Sequence, residues 1–330
     1  MYWITVIGGG TGLSTVLSGV KRQRLWSDIS AIVAVSDDGG GNGRHRDEFG
    51  VLPVSDFRKA IVALADDTES AVLRELFMYR FRKGEGLSGN TFGNLLLIAL
   101  TDILGSEDLA IEHASRILRA NGRVLPVAHE QITLAARYED GSVVRSEDLI
   151  DEPRHDGTLR IEELWIEPDV QVSGRARRAV EKADVIVVGP GDLYTSSLAN
   201  VVVPGMADAL AEAPGKIVFL ANLMTKFGQT HGFRLSDYVS EYERYLGRPL
   251  DHILVNTTPL PPEILTRYEA ERDYPVVDDL SPDASHVTRC DLLAEEEVEA
   301  QAGDTLKRSL IRHDPDKIAD ALAEYATAHL

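Results

Sequence analysis

The opening of the chain constrains its fold more than any other feature. Tyr2 to Ile7 (YWITVI) is an apolar, β-rich run that stops at Gly8-Gly9-Gly10-Thr11-Gly12. A run of this kind reads as a strand buried on both faces, as in parallel sheets. Thr11 to Val20 follows as a helix, with Leu13, Val16, Leu17 and Val20 at helical spacing. Ile29 to Val35 (ISAIVAV) is a second buried strand, running out at Asp37-Asp38. Strand, glycine turn, helix and strand make a βαβ unit, whose crossover should be right-handed.

The same texture returns late in the chain. DVIVV (184–188), KIVFL (216–220) and DHILV (251–255) are further buried strands, ending at Gly189-Pro190-Gly191, Asn222 and Asn256. Between the two halves lie a glycine-rich charged loop over 37–50 and helical segments near 55–65, 69–81, 90–104 and 106–120. A β-rich insertion follows at about 124–170. Within it Asp140-Gly141 supplies a hairpin turn between 131–138 and 142–145. Asp314-Pro315 opens a final helix, with Asp as cap and Pro at the first helical position. The expectation is an α/β chain, a single Rossmann-like domain over 1–330 with a parallel sheet and a small β-rich insertion.

Composition narrows the function classes. The net charge is −19, from 34 basic and 53 acidic residues, which disfavours broad binding to nucleic acid or anionic membrane. No apolar run reaches the roughly 18 residues of a membrane-spanning helix. The single cysteine, Cys290, excludes an intrachain disulfide and a cysteine-built zinc site. With no signal-peptide pattern before the first strand, the expected location is the cytoplasm.

In an open parallel sheet, ligands bind beyond the carboxyl ends of the strands. The polar and glycine-rich residues of this chain fall there. Gly9, Gly10, Thr11 and Gly12 let backbone N–H groups approach a phosphate at a helix N-terminus. The motif departs from the G-x-G-x-x-G fingerprint at Leu13, and no Gly-Lys-Ser/Thr follows. Asp37 and Asp38 could hold ribose hydroxyls or, facing phosphate, Mg²⁺; two successive residues are not expected to play the same role. Gly43 and Arg44 belong to a glycine strip with two arginines, suited to a loop closing over an anion or to a solvated surface loop. Asp56 is either a helix-start acid or a second acid for metal or base work. Gly189, Gly191, Tyr194, Thr195 and Ser196 repeat the design of glycine turn plus hydroxyl donors, and Asn222 opens a stretch with amide, hydroxyl and lysine donors. The histidines lack zinc-ligand spacing, there is no G-x-S-x-G elbow, and Cys290 in its acidic stretch reads as structural.

Seven segments together carry a resemblance: IGGGTGLS (7–14), VSDDGGGNGRHRDEFG (35–50), GNLLLIALTDI (93–103), GRVLPV (122–127), ADVIVVGPGDLYTSSLANVVVPGM (183–206), NLMTKFGQTHGF (222–233) and LIRHDPDKIADAL (310–322). In order and content the chain resembles the gluconeogenesis-factor (YvcK-type) branch of the family that includes 2-phospho-L-lactate transferase (CofD-type). The resemblance implies a three-layer Rossmann-like fold and a nucleotide site. For the gluconeogenesis-factor branch it implies a UDP-sugar-binding regulator of carbon metabolism, cell wall and cell shape. For the transferase branch it implies moving a phospholactyl group from a GDP-linked donor to a deazaflavin with Mg²⁺. On that second reading Asp37, Asp38 and Asp56 are the catalytic acids, with Asp37 and Asp56 on the metal. Tyr268 and Arg312 match positions expected to touch a nucleotide sugar, and Asn94 joins the nucleotide contacts. Self-association into a homo-oligomer is in keeping with the family. The chain departs from the usual pattern at Gly41-Asn42, Ser55 and Asn90, beside the expected site. A nicotinamide-dependent dehydrogenase is a third class, disfavoured by the missing third glycine.

Overall fold

The computed structural model describes residues 1–68, 70–84, 86–295 and 310–330. Its main sheet contains β1 (Tyr2–Gly8), β2 (Trp26–Val33), β3 (Arg123–Pro126), β7 (Val185–Val188), β8 (Lys216–Leu220), β9 (His252–Asn256) and β10 (Val287–Cys290). They lie in the order β10-β9-β8-β7-β1-β2-β3, and every pairing is parallel. A second sheet, antiparallel, holds β4 (Thr133–Tyr138), β5 (Val143–Arg145) and β6 (Ile161–Glu167) in the order β5-β4-β6.

The apolar runs dictate the centre. From Ile4 to Gly8 in β1 and throughout β7 every residue is buried, because helices cover both faces. On one side α1 (Gly10–Val20) and α3 (Val54–Leu64) pack with each other, and the C-terminal helix Pro315–His329 packs on α1. On the other, the helix Gly174–Lys182 reaches β1 and packs against Met206–Glu212. The result is the expected three-layer Rossmann-like α/β fold. Among the described residues, no helix is long and apolar enough to cross a membrane.

The chain leaves β1 toward β2 and β3 on one side and returns through β7 to β10 on the other. The connection order therefore reverses between β1 and β7, the place where open α/β sheets bind ligands. At their carboxyl ends Ile7 faces Val188 in the ladder, so Gly8–Gly12 and Gly189–Gly191 lie side by side.

Three segments differ from expectation. The stretch 37–50 is not a loop: Gly40–Phe49 forms a helix, α2, which buries Asn42 and His45 and ends on Gly50 in the left-handed region. Its glycines weaken intrinsic helicity, and tertiary contact supplies what propensity does not. A Cβ on Gly43 would lie 2.3 Å from the Asp38 carbonyl oxygen, so a glycine is needed where α2 crosses that turn. The β-rich region near 124–170 divides, since its first residues are β3 of the main sheet and only 133–167 build the small one. The hairpin turn is at Asp140-Gly141, with the Tyr138 N–H donating to Ser142 O. β10 is an additional edge strand, with Cys290 half-buried in it.

Candidate functional site

A cleft of about 260 Å³ lies over the β1/β7 junction. Thr11 and Gly12 form one lip, and Gly191 and Asn222 lie at the ends of β7 and β8. Tyr268 and Arg312 close it from the far side of the chain. All six were expected as site residues, and the fold brings them to one cavity.

The glycine turn is built by close approach. Gly10 has φ +60°, and its N–H donates to Asp56 Oδ2 at 2.7 Å. A Cβ on Gly12 would lie 2.0 Å from the Pro190 carbonyl oxygen, so the two strand-end turns touch backbone to backbone. The Asn222 Nδ2 donates to Gly191 O at 2.6 Å and locks the β8 end to the β7 turn. Tyr268 acts through its hydroxyl oxygen, which accepts N–H groups from Leu310 (2.8 Å) and Ile311 (3.2 Å). That clasp fixes the backbone immediately before Arg312.

Beside the cleft, over the ends of β1 and β2, lies an acid pocket. Asp56 carries a salt bridge to Lys59 at 2.8 Å. Burial pushes Asp56 up, but Lys59 and the Gly10 N–H outweigh it and hold the carboxyl below its ordinary value. Asp37 accepts from the Gly39 N–H at 3.0 Å and from Asn42 Nδ2 at 2.6 Å. Burial, then the charge of Asp56, pushes Asp37 up to about 6. Glu147, from the short helix Glu147–Asp151, is raised well above its ordinary value by burial, then by Asp37, Asp151 and Asp38. Among the described residues, no group of three or more His, Cys, Asp or Glu is arranged to hold a metal. Two neighbouring carboxylates suit Mg²⁺ shared with a ligand's phosphate oxygens, since Mg²⁺ commonly takes one or two carboxylates plus phosphate.

Behind Asp37 runs a hydrogen-bond chain with every donor pointing the same way. Arg58 Nε donates to Asn94 Oδ1 (2.8 Å), Asn94 Nδ2 to Ser55 Oγ (3.1 Å), Ser55 Oγ to Asn42 Oδ1 (2.8 Å), and Asn42 to Asp37. Asn42 and Ser55, two of the departures from the family pattern, are thus partners. Asn90, the third, accepts through Oδ1 from His45 Nε2 at 2.8 Å.

Several expected contacts fall elsewhere. Asp38 turns away from the acid pocket and accepts from Ser146 Oγ and the Asp148 N–H, both at 3.0 Å, tying the small sheet's helix to the end of β2. Asn94 is buried behind the pocket, Gly43 packs on the Asp38 backbone, and Arg44 is exposed on α2. Tyr194 lies in the core with its hydroxyl donating to Glu241, and Thr195 is buried against Gln229. Gly189 makes the turn itself, while Ser196 approaches Gly9. These residues shape the turns and do not line the cleft.

The cleft also contains residues not singled out from the sequence. Asp192 lines it and is pushed up to about 6 by burial, with Asp151 adding to the shift and Lys226 opposing it. Burial disfavours the Lys226 cation, yet Asp192 and Asp151 hold it above its ordinary value. His313 is buried at the cleft floor, and burial lowers it to about 4, so it is neutral at pH 7. Lys226 and Asp192 lay inside motifs already marked. Asp151 gave no signal, because it arrives from the other sheet.

Comparison with known proteins agrees with this fold. A Thermotoga maritima protein provisionally named gluconeogenesis factor is 40% identical over 319 residues, covering 97% of this chain and 98% of that one. The Bacillus subtilis gluconeogenesis factor is 36% identical over 326 residues, 97% of each chain. A crystal structure of a UPF0052-family protein from Bacillus halodurans matches with TM-score 0.86 at 34% identity, over 98% of both chains. The family described as 2-phospho-L-lactate transferase CofD matches residues 4–296, and the chain belongs to that family.

Proposed function

We propose that this chain binds a nucleoside-diphosphate sugar, a UDP-sugar, in the switch-point cleft and acts as a cytoplasmic regulator of carbon metabolism, cell wall and cell shape without obligatory turnover. It works as one Rossmann-like unit with the small sheet as an insertion. The observation that carries the reading is convergence: Tyr268 and Arg312 meet Thr11 and Gly12 across one cavity. A helix N-terminus attracts phosphate through its N–H groups and dipole. An arginine opposite can grip a second phosphate or sugar oxygen with its planar fork. The names carried by the relatives support a role in gluconeogenic carbon flow.

Asp56 already accepts from the first N–H of this turn, so a phosphate arriving beside it meets a carboxylate. Lys59 offsets part of that charge, and Mg²⁺ between Asp37, Asp56 and the phosphate would offset the rest. The acid pair favours a second reading, phospholactyl transfer to a deazaflavin from a GDP-linked donor. There Mg²⁺ would supply charge neutralisation, and the chain's own acids and glycine turn would orient the phosphate.

Isothermal titration with UDP-N-acetylglucosamine, GDP and NADH, with and without Mg²⁺, separates the readings. Micromolar binding of the UDP-sugar, weakened by Arg312→Ala, supports the regulator. GDP preference that needs Mg²⁺ and is lost in Asp37→Asn supports the transferase. No binding by any of the three refutes both.

A further inference from the structure

A second cavity, of about 330 Å³, lies at the amino end of β3, the opposite end of the sheet from the cleft. Four arginines line it: Arg116, Arg119, Arg123 and Arg175. They come from three separate places, the last turn of the helix Glu107–Ile117, the loop into β3 with that strand's first residue, and the start of the helix Gly174–Lys182. Two acids, Asp108 and Glu112, share the lining, so the cationic groups outnumber the anionic ones. In a chain with net charge −19 such a local excess needs a reason.

The loop that presents the arginines is fixed. Asn121 donates its N–H to Leu64 O at 2.8 Å and its Nδ2 to Lys21 O at 3.1 Å. Leu118 is fully buried, and its carbonyl accepts the Asp66 N–H at 3.3 Å. Arg119 is held at φ 48°, one of two non-glycine residues with positive φ among those described. An arginine in the left-handed region persists only where its surroundings enforce it. The floor between the arginines is apolar, made by Ile111 and Val124, both buried, and by Ala120.

The arginines have acidic neighbours, loose for Arg175 and direct for Arg116 and Arg123. Arg175 stands 3.8 Å from Asp108 and 3.9 Å from Glu112, with its side chain 37% exposed. Arg116 pairs with Glu112, and Arg123 pairs with Asp28 outside the cavity, both in solvent. Exposed pairs of this kind are weak and exchange partners readily. A ligand with two or more negative charges offers each guanidinium fork a better acceptor than a shared carboxylate does.

We propose that this arginine-lined cavity binds a small organic polyanion, a phosphate ester or polycarboxylate whose carbon skeleton rests on Ile111, Ala120 and Val124. It is a site separate from the nucleotide cleft and independent of what the cleft holds.

The test titrates citrate and glycerol 3-phosphate separately into the full chain at low salt. Binding of either probe is expected at millimolar concentration or below, weakening as salt rises. Arg119→Gln combined with Arg175→Gln should reduce affinity about tenfold or more, the effect of removing charge-assisted bonds. UDP-sugar binding should persist in that variant, and Arg312→Ala should leave probe binding unchanged. Which probe binds tells phosphate from carboxylate. Absence of binding by both, binding indifferent to the arginine substitutions, or binding abolished by Arg312→Ala would overturn the proposal. Unchanged melting of the double variant checks that it is folded.

Discussion

Gly12→Ala tests whether the two strand-end turns must touch. The added methyl would stand 2.0 Å from the Pro190 carbonyl oxygen, 2.7 Å from its carbon and 3.2 Å from the Gly191 nitrogen. All three are backbone atoms, so no side chain can swing aside. The helix has no slack on its other flank either, since a Cβ at Gly19 would lie 1.9 Å from the Pro315 carbonyl oxygen. Relief therefore requires α1 to shift and pull Gly10 from Asp56. Overpacking alone typically costs about 1–3 kcal/mol. A hydrogen bond to a charged group contributes about 1.5–3 kcal/mol. If the bond only lengthens, the sum is about 3 kcal/mol, or a fall in Tm of roughly 4 °C in a domain this large. The internal control is Gly41→Ala in α2, where nothing lies within 4 Å and φ is ordinary. There the exchange should be neutral or stabilise by up to about 1 kcal/mol. Urea unfolding and UDP-sugar titration of both variants decide it. If Gly12→Ala matches the parent in both, the turns do not touch as described.

Other expectations follow from particular groups. Burial lowers His313 to about 4 against an unfolded value near 6.5, so it stabilises fully above 6.5 and loses about 3 kcal/mol as pH falls to 4. In His313→Gln the pH slope of urea stability in that window should shrink; an unchanged slope refutes the neutral buried imidazole. Asp37 is raised to about 6, so its ionisation destabilises as pH climbs from 4 to 6, and any Mg²⁺ dependence of ligand binding should grow as pH passes through about 6. Titration at pH 5 and pH 7.5 showing equal Mg²⁺ dependence would remove Asp37 from the metal. Tyr268→Phe leaves the Leu310 and Ile311 N–H groups without their acceptor, and should cost about 1–3 kcal/mol of local order. Hydrogen exchange at those two amides should accelerate while α1 stays protected. Asp38→Ala should likewise loosen residues 146–151 selectively, seen by the same measurement.

Much of the centre was legible because burial on both faces leaves a simple trace. IVV and ITVI admit few structures besides parallel strands, and the glycines after them mark the ligand end. α2 was not legible, since GGNGRHR has poor helix propensity and its support comes from Asn42 meeting Asp37 and Ser55. β10 was hidden for the opposite reason: an edge strand carries polar residues such as Arg289, so its apolar signal is diluted. The cleft's chemistry split in the same way. The glycine turns could be read from backbone needs alone, while Tyr268 and Arg312 came from resemblance, because nothing local tells that a tyrosine hydroxyl will clasp residues more than forty positions away. The resemblance groups Asp38 with Asp37 and Asp56, yet its acceptor oxygen is spent on Ser146, 108 residues on.

The grip of Pro315 on Gly19 has a consequence for biogenesis. During synthesis the first βαβ unit emerges early, but part of the surface that seats α1 is supplied by residues 315–329, and the neighbour of β1 on its other side, β7, is also distant in sequence. A nascent chain therefore holds its glycine turn half-assembled, with apolar flanks bare, until residues 315–329 have left the ribosome. Long-range closure of this sort is slow and leaves intermediates open to aggregation. A ligand that engages the finished turn can act only once residues 315–329 have docked, as a final clamp on an assembled fold.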